Sequence, residues 1–170
     1  MPKMLAIGAA KPNLVLTTKP LISDLALTEG TEPKLTAALN APPTPAMPAT
    51  VLLRIEGIKA SKDSGMTFEV FLMKKGDEAS KKSYVGAIAF FGRRGDHAHD
   101  GDKGFTQGFD VTRTVHAIQI ANKGKLPDLA VAIVPHSTRG LSAADLAKQN
   151  FQIPVANITL TLITAEKKDQ

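Results

Sequence analysis

Four histidines, His97, His99, His116 and His136, are the only imidazoles in the chain, and two of them stand close together in Asp96-His97-Ala98-His99-Asp100. In an extended segment, side chains two apart point the same way. Both rings therefore reach one ion, and the neighbouring aspartates, with Asp102 nearby, orient them or complete the shell. Two imidazoles make an adequate transient copper site and a poor structural zinc site, which takes a closed set of protein ligands. The competing reading is a solvated polar loop. Gly92 to Gly108 holds five glycines, three aspartates and three basic residues in seventeen positions, a turn composition that builds no core of its own and lies on the surface between strands. His116 reads as a helix-surface or packing residue, and His136 as the end of a strand. Other chemistries lack their residues. There is no cysteine, hence no disulfide, thiolate metal site or cysteine nucleophile. No G-x-S-x-G elbow, P-loop or H-E-x-x-H motif occurs. Arg94-Gly95-Asp96 is explained by turn chemistry, and Asp100 with Asp102 lacks the spaced ladder and closing Glu of a calcium loop.

The elements that hold this loop are short and apolar. Tyr84 to Phe91, YVGAIAFF, is too apolar to face water and too short to span a membrane, and it reads as a buried strand ending at Gly92. Phe105 to Val111 resumes the apolar pattern beyond the loop. Upstream, VLLRIEGI (51–58) carries Leu52, Arg54 and Glu56 as outward positions in imperfect alternation, and TFEVFLM (67–73) sets Phe68, Val70 and Leu72 on one face against Glu69 and Phe71. The polar segments KASKDSG (59–65) and KKGDEASKKS (74–83) connect them. Downstream, residues 112–122 fit a short helix with Thr112 as N-cap and Gly124 as the stop, with strand as the competing assignment because of the β-branched content. Asp128 to His136 reads as a buried strand, Leu141 to Gln149 as a helix capped by Ser142, and Ile153 to Thr164 as a long final strand. Before the proline-rich connector Ala41 to Pro48, Asn13 to Thr18 and Lys34 to Leu39 read as strands.

Some seven short strands at hairpin-like spacing with one or two short helices indicate an all-β chain, an antiparallel β-sandwich or barrel. The expected organisation is an N-terminal arm and linker over residues 1–48, the β domain over 49–164, and a frayed tail over 165–170. At 170 residues and 43% apolar content, one such domain is affordable. With 5% aromatics, one tyrosine and no tryptophan, a stacking platform for bases or sugars is not available. The formal charge of +5 is spread along the chain, so nucleic acid is not an expected partner. Nor is a membrane. The opening residues offer only a short, broken apolar run before Pro12, too weak for a secretory signal, and compartment stays open.

In their order, VLLRIEGI, TFEVFLM, YVGAIAFFG, the histidine-containing loop, FDVTRTV (109–115), AVAIVPH (130–136) and the closing strand resemble the C-terminal domain of tyrosinases and plant-type polyphenol oxidases, marked there by a KFDV-type strand. The likeness covers about residues 50–164, and residues 7–40 are similar to the segment after the catalytic core of bacterial members. Thr67, Glu69, Met73 and His136 depart from the family pattern. The resemblance implies a non-catalytic lid packed over the type-3 dicopper site of an oxidase core, which keeps the enzyme latent. The partner would be that core, fused upstream or a separate chain. It implies a bulky placeholder side chain entering the substrate pocket, for which Phe105 is the candidate with Phe91 behind it; the alternative is that Phe105 simply begins the next core strand beside Phe109. Copper is the one cofactor implied, resident in the partner core or held transiently at His97 and His99 for delivery to it. A dicopper centre takes three imidazoles per metal, so a chain with four histidines is no catalytic core by itself. The alternative function is a free-standing β-sandwich interaction module with no copper role.

Overall fold

The computed structural model describes residues 2–41, 48–59, 66–89, 104–137, 140, 142–148 and 152–165. The described strands are β1 (Lys3–Ala9), β2 (Leu14–Leu16), β3 (Leu21–Leu27), β4 (Thr50–Ile58), β5 (Met66–Lys74), β6 (Tyr84–Ala89), β7 (Phe105–Asp110), β8 (Leu129–Ser137), β9 (Ile153–Val155) and β10 (Asn157–Thr164). Helices α1 (Glu32–Asn40), α2 (Thr112–Ala121) and α3 (Ala143–Lys148) complete the set. Eight strands form one antiparallel sheet in the order β6-β5-β8-β3-β1-β10-β4-β7, and β2 pairs with β9 apart from it. The large sheet curls until its two edge strands meet, making a nearly closed barrel around one core. Among the described residues no helix is long and apolar enough to cross a membrane.

Alternation explains the core. Val51, Leu53 and Ile55 of β4, Phe68, Val70 and Leu72 of β5, and Ile158, Leu160 and Leu162 of β10 all point inward and are buried. In β4 the next inward residue is Ile58, three positions on, and the pairing with β7 shifts register between Ile55 and Ile58. Gly57 makes the bulge. It takes φ +66, and a Cβ there would stand 2.5 Å from the Cβ of Ala156. The Glu-Gly pair inside VLLRIEGI is thus a backbone device that turns Ile58 back into the core.

A different glycine closes the barrel. Among the described residues no ladder hydrogen bonds join β6 to β7; instead the Phe109 ring lies over Gly86, where an added Cβ would come 2.5 Å from both Cδ1 and Cε1 of the ring. The Gly of YVGAIAFF leaves room for that ring. This also changes the expected character of the strand. Tyr84–Ala89 is an edge strand in which Ile88 is fully buried while Tyr84 is 46% exposed. Small residues and one edge position put an apolar run at the surface.

Several elements differ from the sequence reading. Lys34 to Leu39 is helical, not a strand. Pro33 sits in the first turn of α1, where its missing N–H costs nothing, and Leu35 is buried at 1% exposure. The helix is fastened to its neighbours by Gln119 Nε2 donating to Thr36 Oγ1 at 2.8 Å and by the Leu126 N–H donating to Glu32 Oε1 at 3.1 Å. Residues 3–27, expected in an arm, supply three strands, and β1 lies inside the sheet between β3 and β10. The final strand is broken at Ala156, whose N–H donates to the Glu56 carbonyl, so β9 can turn away to β2. The 112–122 segment is the helix α2, but its cap is Val111 rather than Thr112. Asp110 Oδ1 accepts from the Thr112 N–H at 3.0 Å and from the Thr112 hydroxyl at 2.6 Å. At the other end the Gly124 N–H closes on the Gln119 carbonyl at 2.9 Å. Ser142 caps α3 as expected, accepting from the Asp145 N–H and donating to its carboxylate.

Candidate functional site

The antiparallel order puts both anchors of the candidate loop, Ala89 and Phe105, at one end of the barrel. β6 enters it at Ala89, and β7 leaves it at Phe105, directly across from Ile58. His97, His99 and Phe91 lie outside the described residues, so the structure assigns them no geometry. Their anchors are defined. Thr67 pairs with Ala89 on one side and with His136 on the other, which puts His136 on the rung from which residues 90–103 depart. At about 4.8 Å per strand, His136 and Ala89 are roughly 10 Å apart. His136 is exposed, its carbonyl accepting from Thr67 Oγ1 at 3.4 Å. His116 is on α2, half-buried, and is not brought to this end. Phe105 is the first residue of β7 and packs, partly buried, against the main core. That position matches the alternative reading of Phe105 as the start of a core strand.

Among the described residues no group of three or more His, Asp or Glu side chains is arranged to hold a metal ion. The whole sequence has only four histidines, which does not fit a dicopper centre within this chain. A groove of about 260 Å³ does open elsewhere. It runs between α2 and the turn after β5, with Leu72, Ala117 and Ile118 as its apolar floor and Lys74, Asp77 and Lys82 on its rim. With Glu78 on the same rim, two cations and two carboxylates face the groove, so it presents no net charge to a ligand, and no local sequence pattern marks it.

Sequence reasoning also missed the outer surface of the sheet. Phe71, Met73, Ala130 and Ala132 form a second apolar cluster on the outside of β5 and β8. Phe71 meets Tyr84 edge to face, with ring centroids 5.7 Å apart and planes at 68°. Placing Phe71 with Glu69 on the face opposite Phe68 was the available signal; what remained hidden was that small apolar residues of β8 continue that face.

The fold is therefore a nearly closed antiparallel β-barrel. The chain belongs to the family described as Domain of unknown function (DUF7868), whose model matches residues 3–146. No curated protein matches it. Among solved structures it is similar to latent aurone synthase (polyphenol oxidase) from natural source, at 15% identity and TM-score 0.47 over 89% of this chain and 26% of that one. A recombinantly expressed latent aurone synthase (polyphenol oxidase) is similar at 15% identity and TM-score 0.46, over 91% of this chain and 26% of that one. The chain spans about a quarter of the length of these neighbours.

Proposed function

We propose that the chain is a non-catalytic shielding domain of a tyrosinase-like type-3 copper oxidase, one that covers the dicopper site of a phenol-oxidising core and holds it latent. The observation that carries this reading is the ordered set of strand motifs, now with a physical role for each. VLLRIEGI, TFEVFLM, the YVGAIA part of the third motif and AVAIVPH fall on β4, β5, β6 and β8, and the glycines at Gly57 and Gly86 serve the bulge and the closure of the barrel. A barrel needs neither glycine at those places in general, so their occurrence in the family order supports descent from the same scaffold.

In this reading the barrel end bearing residues 90–103 faces the core. His97 and His99 are the copper contact, for delivery to the core, and Phe105 with Phe91 fills the substrate pocket. Phe105 acts there only from its base in β7, since its ring already packs on this domain's core. All redox chemistry belongs to the partner's copper pair. This chain's part is steric: it excludes phenol and water from the pocket mouth while docked.

The test is diphenol oxidation by the core with and without the chain bound. Turnover falls on binding and returns when the chain is displaced or cut. A bound complex with unchanged turnover refutes the reading.

A further inference from the structure

The barrel has two unlike outer faces. On β7, β4 and β10 the outward positions include Asp110, Arg54, Glu56, Thr159 and Thr161, with Arg54 and Glu56 paired at 3.4 Å. Leu52 and Ile163 also lie outward there and Thr161 is only 8% exposed, so this is a mixed face with an ion pair at its surface. On β6, β5, β8 and β3 the outward rung reads Tyr84, Phe71, Ala132 and Ile22. Phe71 and Ala132 are covered by their neighbours, while Tyr84 is 46% and Ile22 64% exposed. One rung on, Met73 and Ala130 end at Asp24, which pairs with Lys75 at 3.1 Å on the rim. One rung back, between Ala87 and Val134, stands Glu69. Among the described residues nothing engages its carboxylate.

We propose that this β6-β5-β8-β3 face is the surface on which the oxidase core seats, with an Arg or Lys of the core meeting Glu69. The inference rests on the shielding-domain reading and adds the docking face and the charge of its counterpart. Two features of the face select the occupant. Four strands about 4.8 Å apart and six residues of rise at about 3.4 Å give a footprint near 400 Å², about half of what each partner in a free-standing complex commonly supplies. A convex patch of that size does not hold a second copy alone. It suffices for a partner that is also fixed at the barrel end or by the polypeptide itself. Glu69 points the same way. Burying a carboxylate among Ala, Val and Phe is costly unless a cation meets it, and two copies packed rung on rung would set Glu69 against Glu69.

The absence of native cysteine allows a direct test on the full chain. Single variants Ile22→Cys and Ala89→Cys place a benzophenone on this face at exposed positions, and Thr159→Cys places it on the opposite face. Each labelled chain is irradiated in extract of its source cells, and the attached peptides are read by mass spectrometry. Peptides of a dicopper oxidase core on Ile22→Cys and Ala89→Cys but not Thr159→Cys are expected. Adding Glu69→Lys should lower that yield roughly tenfold or more. Core peptides captured from Thr159→Cys instead overturn the docking face and leave the shielding reading standing. Capture of a second copy of this chain at Ile22 overturns the choice of occupant. Capture of no oxidase core at any of the three positions overturns both.

Discussion

Replacing Gly86 by Ala tests whether the barrel is closed by a ring lying on a bare backbone. The new methyl would sit 2.5 Å from two carbons of the Phe109 ring, well inside van der Waals contact, so ring or strand must move. Phe109 is only 8% exposed and is built into the main core, which leaves the ring little room to retreat. Overpacking of this kind costs about 1–3 kcal/mol. The usual gain of Ala over Gly in a strand does not offset this, because Gly86 takes φ +158, a conformation that disfavours an L side chain. The loss is therefore about 1–3 kcal/mol, equivalent to a melting temperature lower by roughly 2–12 °C for a chain of this size. Calorimetry on the single variant gives the size, and a double-mutant cycle with Phe109→Leu gives the cause. Leu lacks the outer ring carbons, so Gly86→Ala should cost about 1 kcal/mol less in that background. A Gly86→Ala variant as stable as the parent, or an equal cost in both backgrounds, refutes closure through this contact.

Leu35→Ala should destabilise the chain by about 2–5 kcal/mol, as for a fully buried leucine, measured by urea denaturation; a surface-like effect under 0.5 kcal/mol would mean that α1 is not docked. Asp110→Ala removes the acceptor for both the N–H and the hydroxyl of Thr112 and should cost about 0.5–2 kcal/mol, with Asp110→Asn recovering most of it. Copper titration by calorimetry should show a binding event in the parent that disappears in the His97→Ala/His99→Ala double variant, and identical curves would remove the loop from any copper role.

The β class and most strand positions were legible because alternation in VLLRIEGI and TFEVFLM is a local signal that burial then obeys. The errors have equally local causes. Lys34 to Leu39 has a strand's propensity, but proline in a first turn opens a helix, and Pro33 stands there. KMLAIGA is short and broken as a leader yet serves as β1, and in LISDLAL Leu21, Leu25 and Leu27 share the inner face of β3. No local pattern could place β1 between β3 and β10, because that neighbourhood is made by residues more than 150 positions apart, such as Lys3 and Thr164. Of the candidate site, the anchors in β6 and β7 are legible in the apolar pattern, and Phe105 stands at the start of β7, partly buried against the core. His136 at the root of the loop was not foreseen, since only the rung through Thr67 relates it to Ala89.

The motifs that tie this chain to a larger pattern turn out to be about geometry. Gly57 and Gly86 are held by the backbone and ring that approach them, and Phe68, Val70 and Leu72 by the core they fill. None of these residues could touch a substrate. A sequence can therefore keep every one of them and still change what the domain does, because function would reside in parts that the barrel does not need: residues 90–103 and the outward side chains Ile22, Glu69 and Tyr84. Ile22 and Glu69 make no core contact, while Tyr84 packs edge to face on Phe71. Tyr84 and Ile22 are large and apolar where water would favour a polar residue, and Glu69 holds a charge in their midst. The contact with Phe71 accounts for Tyr84, but an exposed Ile22 on the same face as Glu69 is what a surface covered for part of the protein's working life would carry.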